Sequence, residues 1–463
     1  MMKTRVVAVA IVAGTGIVGC RSYQPSPIEI DSIRTSWIQR DLSAIVTCAG
    51  DSPSPASEPT FHAADGVTLR EGEAIALVFN GSLRNWRSRS SIAKVAMQHA
   101  GIAPDPVLGF DFERIISGIG GANPWVVGGT LGLTIPLSGS NSAAHEVAVR
   151  EVQAEYDALI LREWEVRMEL RRRWVEWSAV TLRLEGMRTA LTELDAVATQ
   201  SDLQQHAGLL SRSEARHIRI EIATIQSERM RLESESRELE LRIRGCLGVT
   251  SSAEIRLIPQ LTVEEVPWGD PVALRHQAER GNPALNAKRS AYAVTESELK
   301  REIRKQYPDL VIGPGYGEDQ GDSRFLMGLQ IPLSLWNRNK QAIETAIASR
   351  DAAKVEFETS YEACMTAIDL AVLKIVSAEQ RHQFLERNLL PLVEQHIDDA
   401  RRAATAGSLD APTLLAAISG IDSARSELVQ ARAQQALAMI ELVSVIGPQN
   451  PIRPQSDTLH VVE

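Results

Sequence analysis

The chain carries nine histidines, four cysteines and 59 acidic residues, yet few of these stand close enough in sequence to act together. The densest group is Glu394, His396, Asp398 and Asp399. On a helix, its i, i+2 steps point successive groups to different faces, so it does not predict one compact metal site. Gly313-Pro314-Gly315-Tyr316-Gly317 is glycine-rich but lacks the Lys-Ser or Lys-Thr that follows a phosphate-cradling loop. Gly-x-Ser-x-Gly, His-Glu-x-x-His and paired Cys-x-x-Cys patterns are absent from the sequence. The reading is therefore of a non-enzyme with no cofactor and no metal.

Two turns draw attention instead. Gly208-Leu209-Leu210-Ser211 and Gly407-Ser408-Leu409-Asp410 each fall between two long helical patterns. Glycine takes the left-handed conformation that ends many helices. Ser211 and Asp410 are then placed to cap the helices that follow by accepting their free amides. Asp195 and Asp202 precede the first turn, and Asp398 and Asp399 precede the second. Carboxylates held close together repel and respond to cations and pH.

The opening residues speak to compartment. Lys3 and Arg5 precede an apolar run from Val6 to Val18, a secretory signal too short for an ordinary spanning helix. It ends Ile17-Val18-Gly19-Cys20, similar to the bacterial lipobox, which implies cleavage before Cys20 and lipid on that cysteine. A plain signal peptide with an incidental cysteine would read the same way. Arg21 follows, so the outer membrane is the implied destination. Cys48, Cys246 and Cys364 remain, widely spaced and odd in number, which indicates no disulfide framework. Beyond the signal no apolar run reaches about 18 residues, so a membrane crossing would need a closed β-barrel. The net charge of −10 offers no basic face for nucleic acid. Only 5% of residues are aromatic and 23% are charged, which favours long solvated helices over a thick globular core.

The chain repeats itself. Residues 132–138 read GLTIPLS and residues 328–334 read GLQIPLS. In the same order, Asn80-Gly81-Ser82-Leu83 matches Asn282-Pro283-Ala284-Leu285, residues 104–109 match 308–313, and 208–248 match 407–447. Ordered matches at one long spacing mark a duplicated unit. Each unit reads helix, strand, strand, very long helix, helix. The boundaries read as a signal peptide over 1–19, a tether over 20–65, a first repeat over 66–250, a linker over 251–270, a second repeat over 271–447 and a tail over 448–463. The tether is rich in Pro and Ser between Asp51 and Pro59, and Ile33, Trp37 and Ile45 suggest a short helix in it. The first helix of each unit is expected as one piece, over 69–100 and 271–306.

Trp125, Val127, Leu131, Leu133 and Ile135 alternate with Val126, Gly128, Thr130, Gly132 and Thr134. Phe325, Met327, Leu329 and Ile331 alternate with Arg324, Leu326, Gly328 and Gln330. Such period-two patterning fits a soluble hairpin packed on helices and a barrel wall between lipid and water equally well. Between Ala143 and His206 there is no proline, and glycine occurs only at Gly186. At ~1.5 Å per residue this makes a rod of about 95 Å. Val166, Leu170, Trp177, Val180, Leu184, Met187, Leu191 and Leu194 form a heptad seam broken at Arg173. Ile218, Ile222, Ile225, Leu232, Leu239 and Ile243 form another, with gaps at Arg229 and Ser236. In the second unit, Tyr361, Met365, Ile368, Val372 and Ile375 start a seam that fades at Glu379 and His382, and Leu414, Ile418, Ile421, Leu428, Met439, Leu442 and Ile446 form a fourth. The polar breaks are read as positions facing a water-filled lumen.

The repeated plan, the two IPLS runs, the Tyr307-Pro308-Asp309-Leu310 strand start and Asn282-Pro283-Ala284-Leu285 together resemble the TolC-like outer membrane efflux proteins, over about residues 66–448. Ile331-Pro332-Leu333-Ser334-Leu335-Trp336-Asn337-Arg338-Asn339 is most similar to the heavy-metal branch of that family. The resemblance implies a mainly α fold with a small β part. Long coiled-coil helices would form an α-barrel, and a homotrimer would give four strands per chain to one transmembrane β-barrel. It also implies a passive exit duct for small molecules or metal ions, anchored to outer-membrane lipid and extending into the periplasm. An inner-membrane pump and a periplasmic adaptor (membrane fusion) protein would be its partners. The turns at Gly208–Ser211 and Gly407–Asp410 would dock the adaptor, and under threefold symmetry Asp398, Asp399, Asp195 and Asp202 become candidate rings at a gate. The rival reading is a lipid-anchored periplasmic coiled-coil adaptor or scaffold, which needs no strand hairpins.

Overall fold

The computed structural model describes residues 22–40, 66–114, 116–117, 125–208, 210–262, 267–319, 322–333, 336–405 and 411–448. Contacts divide the chain into two units, Met1–Asp41 and Leu42–Glu463. The described part of the first holds helix α1 (Ile30–Ile38), with Ile33 and Trp37 exposed on it. Ile45, expected in the same helix, lies outside the described residues, as do the signal segment, Cys20 and most of the tail.

In the second unit one order of elements occurs twice. The first pass is α2 (Leu69–Phe79), α3 (Gly81–Gln98), β1 (Val107–Arg114), β2 (Trp125–Ile135), α4 (Ser140–His206) and α5 (Arg212–Leu247). The second is α6 (Pro271–Gly281), α7 (Pro283–Arg304), β3 (Leu310–Asp319), β4 (Asp322–Gln330), α8 (Lys340–Phe384), a π turn over Leu385–Leu389, α9 (Leu390–Thr405) and α10 (Ala411–Ile446). The π turn has a local cause. Pro391 has no N–H to offer the carbonyl of Arg387, and its ring crowds that carbonyl, so the turn before it widens.

The single first helices expected over 69–100 and 271–306 are each two helices. Asn80 and Asn282 break them with extended ψ angles of 126° and 117°. Each asparagine ends one helix and caps the next. Asn80 Oδ1 accepts from the Ser82 and Leu83 amides, and Asn282 Oδ1 accepts from Leu285. Each then spends its amide group on the end of the returning helix, Asn80 on the Cys246 carbonyl at 2.9 Å and Asn282 on the Val445 carbonyl at 2.6 Å. The repeated Asn motif is therefore a joint that ties the start of each repeat to its finish.

The helices form four columns side by side. In order these are α3 with α5, then α4, then α7 with α10, then α8 with α9. The sheet has the matching order β1-β2-β3-β4, antiparallel throughout. Two cores hold the columns. Leu170, Trp174, Trp177, Leu184, Leu191 and Leu194 of α4 meet Ile218, Leu232 and Ile243 of α5 in one. Trp164, Met168, Val175 and Ala179 of the same helix meet Ile368, Ala371 and Ile375 of α8 and Met439, Leu442 and Ile446 of α10 in the other. Two of the polar breaks in the seams reach across to a neighbouring helix. Arg173 donates to the Arg242 carbonyl of α5 at 3.2 Å, and His382 accepts from Arg432 of α10 at 3.0 Å. These side chains clasp a neighbouring helix.

Candidate functional site in the sheet and the helical tip

The register assigns every strand residue to a face. Leu131 lies opposite Leu108, Val127 opposite Phe112, Leu133 opposite Ile312, and Gly129 opposite both Phe110 and Tyr316. Tyr316 in turn faces Phe325, Pro314 faces Met327 and Ile312 faces Leu329. One face of the sheet is therefore apolar across all four strands, and it is bare: Phe112 is 71% exposed, Phe325 74% and Met327 70%. A continuous apolar face this size is rare on a protein bathed in water.

The opposite face is mixed: Val107, Gly109, Asp111 and Glu113 of β1, Val126, Gly128, Thr130, Gly132 and Thr134 of β2, Val311, Gly313, Gly315 and Gly317 of β3, and Arg324, Leu326, Gly328 and Gln330 of β4. Its glycines are needed for closeness. A Cβ on Gly109 would meet the Thr130 hydroxyl at 2.7 Å, and one on Gly315 would meet the Thr130 methyl at 3.0 Å. The strands run 8, 11, 10 and 9 residues, against about 9–11 for a tilted strand crossing a bilayer. Among the described residues, the outer strands β1 and β4 each pair on one edge only. Among the described residues, no helix is long and apolar enough to cross a membrane.

The two repeated strand motifs meet where strands pass into helices. Ser138, at the end of the first IPLS run, donates to Asp309 of the Tyr-Pro-Asp-Leu run at 2.8 Å, joining the exit of β2 to the start of β3.

At the far end of α4, Gly208 is left-handed at φ +77 with open space around it. Ser211 caps α5 in a reciprocal box with Glu214, at 3.2 Å and 2.9 Å. Hydrogen bonds from the Ser211 side chain and backbone hold the Glu214 carboxyl below its usual pKa. Leu210 packs against the first core, so it anchors the turn from within. Leu209 and the whole second turn, Gly407, Ser408, Leu409 and Asp410, lie outside the described residues.

The four aspartates separate into different situations. Asp398 and Asp195 are exposed, and Asp399 is exposed beside Arg402 at 3.8 Å. Asp202 is held by Arg219 of α5 at 2.6 Å, inside the first helix pair. Two features near this end were not singled out from sequence. Arg401 of α9 grips Glu193 of α4 at 2.7 Å, a tie between the repeats. Asp422 of α10 lies by Gly186 of α4, its pKa raised by burial against the opposing pull of Arg183 and Arg425. A charged residue on a helix gives no sequence sign of its partner on another helix, which is why both were missed.

Chemistry is sparse elsewhere. A cavity of 860 Å³ lies between the two asparagine joints, lined by Trp164, Met168, Cys246 and Cys364 among others. Burial raises both thiols' pKa values, so they stay neutral near pH 7. Among the described residues, no group of three or more His, Cys, Asp or Glu is placed to hold a metal ion.

Residues 274–448 match the family model of outer membrane efflux proteins. No curated protein matches the sequence. Among solved structures, the outer membrane protein VceC from Vibrio cholerae aligns at a TM-score of 0.67 and 16% identity, over 82% of this chain and 96% of that one. The Campylobacter jejuni CmeC outer membrane channel gives 0.69 and 11%, over 92% and 94%. CusC gives 0.66 and 15%, over 82% and 92%. At these identities the structural likeness speaks for the fold, and the three stand too close together to select a branch. The second repeat is thus similar to the outer membrane efflux protein family, and the fold over the described length is the one found in TolC-like outer membrane channels.

Proposed function

We propose that the chain is the outer membrane channel of a tripartite efflux system, a passive exit duct for small molecules or metal ions. The observation that carries this reading is the four-stranded sheet, apolar and bare on one face, glycine-rich and more polar on the other, set above a wall of helices in the same lateral order. An apolar face toward lipid and a polar face toward water are what a barrel wall requires. Sheet and helix wall are open at the same two sides, β1 with α3 and α5, and β4 with α8 and α9. Unlike edges meeting head to tail close into a ring. Three copies, the number the family reading supplies, would make twelve strands.

The remaining assignments follow from that reading. Cys20 carries the lipid anchor in the outer membrane, residues 20–65 form the tether, and the repeats run over 66–250 and 271–447. The turns at residues 208–211 and 407–410 meet a periplasmic adaptor, which links the channel to an inner-membrane pump. Asp398 and Asp195 are the stronger gate candidates, because Asp202 already has a cation partner. The Glu193–Arg401 pair would hold the tip narrow. An adaptor or scaffold would have no use for a bare apolar sheet.

The test is osmotic swelling of liposomes containing the purified full-length protein, with its mass measured in detergent. Swelling by a small sugar, together with a trimer mass, is the expected result. A soluble monomer that leaves liposomes sealed would overturn the reading.

A further inference from the structure

The channel reading gives helix α1 no task. The helix has nine residues, and every one of them is exposed. Its apolar residues are not scattered. At about 100° per residue, Ile30, Ile33, Trp37 and Ile38 fall on one side, and Ser32, Thr35 and Ser36 on the other. Exposed Tyr23 and Ile28 add bare apolar surface just before it. An isolated helix this short is marginal in water, so α1 needs a surface to lie on.

The kind of surface follows from three features of the segment. The polar side is satisfied within the helix. Ser32 donates to the Glu29 carbonyl at 2.9 Å, Thr35 to the Asp31 carbonyl at 2.8 Å and Ser36 to the Ile33 carbonyl at 2.9 Å. What α1 lacks is apolar cover. Arg34 lies inside the apolar stripe, between Ile30 and Ile38, and pairs with Asp31 at 3.1 Å. A dry protein wall would strip that pair of water, which costs more than the pair returns. At a bilayer surface the arginine stem can lie along the acyl boundary while its head stays among the headgroups. Trp37 suits the same depth, being apolar with one polar N–H. The third feature is reach. Residues 21–29 separate α1 from Cys20. The ten steps from Cys20 to Ile30 span at most about 35 Å. Lipid on Cys20 would hold α1 that close to the bilayer, at an effective concentration on the order of millimolar, where a weakly binding helix is mostly bound.

Resting on the lipid-anchor reading above, we infer that α1 lies in the surface of the outer membrane's periplasmic leaflet, with its Ile33 and Trp37 side among the acyl chains. It is a second attachment beside the lipid on Cys20. Asp31 and Arg34 cancel, so the headgroups that α1 fits are zwitterionic ones.

Depth quenching in the full-length protein tests this. Ile33→Cys, Trp37→Cys, Ser32→Cys and Thr35→Cys, each in a Cys48→Ser background, carry a fluorescent label, and the background protein supplies the blank. The vesicles are phosphatidylcholine with brominated acyl chains. Bromine should quench the labels at 33 and 37 about threefold more than those at 32 and 35, and iodide in the water should show the reverse order. Iodide reaching all four equally would place α1 in water and overturn the inference. Labels at 33 and 37 shielded from both quenchers would place that side against protein, this copy or a second one, and overturn it too. Bromine quenching that appears only after anionic phosphatidylglycerol is added would overturn the headgroup class. The mass of the N-terminal peptide reads acylation of Cys20 separately. Acylation without bromine quenching would remove α1 from the membrane and leave the anchor. Bromine quenching at 33 and 37 without acylation would keep α1 on the membrane and remove the anchor. Neither signal would remove both.

Discussion

Helix α4 and the pair α8–α9 hold the same place in the two repeats, yet they are buried differently. α4 is covered on two sides, by α3 and α5 on one and by α7 and α10 on the other. Accordingly it splits its apolar residues between both cores, with Trp174 in one and Val175 in the other, each fully buried. Among the described residues α8 packs on one side alone, against α7, α10 and α6, and buries Cys364, Ile368, Ala371 and Ile375. Val355, Leu370, Leu373 and Phe384 share another face of α8 and remain exposed. One sequence plan with half its cover missing supports the proposal that another copy of the chain completes it. The exposed Ile92 and Val95 of α3 and Ile220, Met230 and Leu241 of α5 offer apolar residues on the opposite outer column.

The sharpest way to break the comparison is to damage each helix and ask what fails. Trp174→Ala in α4 should cost about 3–5 kcal/mol of folding stability, since it opens a cavity and also leaves the Ile258 carbonyl without its 3.0 Å donor. Leu373→Asp in α8 should change the unfolding of a detergent-dispersed monomer by no more than about 0.5 kcal/mol, as an exposed substitution does. It should nonetheless abolish the assembled species on sizing. Urea unfolding with parallel mass measurement reads both. If Leu373→Asp leaves assembly intact, that face of α8 is not an interface.

Next in size is the close of the second repeat. Gly447 is left-handed at φ +78, and a Cβ there would lie 2.2 Å from the Gly281 carbonyl oxygen. Gly447→Ala should therefore cost about 2–3 kcal/mol, against about 1 kcal/mol for Gly208→Ala at the tip, where the same φ meets open space. The asparagine joints should follow. Asn80→Ala and Asn282→Ala each lose a cap and a buried bond to the returning helix, for about 1–2 kcal/mol apiece. Near-equal losses in urea unfolding would show that the repeats share this device; a large inequality would separate them.

The smallest effect is electrostatic. Burial raises the Asp422 pKa, so the folded chain holds that proton more tightly than the unfolded one does. Its stabilising contribution is full below the unfolded value near 3.8 and is lost as pH rises through the raised folded value. Asp422→Asn should flatten the fall of melting temperature across that window by about 1 °C. Glu214 runs the other way. Its lowered pKa gives a contribution present above 4.5 and lost as pH falls through the folded value, so Glu214→Gln should leave the Asp422 window untouched.

Much of this architecture is written in local patterns. Alternation at Trp125–Ile135 marks β2, and the absence of proline after Ala143 marks the long α4. The fading seam at Glu379 and His382 stands one turn before the π turn. Patterns spanning distant residues were legible only as repeats. The IPLS and Tyr-Pro-Asp-Leu runs read as motifs, but that Ser138 grips Asp309 follows from β2 lying beside β3, which no local signal states. Asn80 and Asn282 read as matching marks, and their role as helix joints depends on a carbonyl 166 and 163 residues away. The second buried face of α4 was missed because Trp164, Met168, Val175 and Ala179 fall outside the heptad seam that serves α5. The Glu193–Arg401 tie was invisible for a similar reason, since α9 and α4 belong to different repeats.

Single-channel conductance of the purified full-length protein in a planar bilayer tests the central claim most directly. The account predicts steady openings that grow when Arg401→Ala releases Glu193, and that change in cation preference with Asp398→Ala or Asp195→Ala. A bilayer that stays silent, with Arg401→Ala as with the unaltered chain, would contradict it.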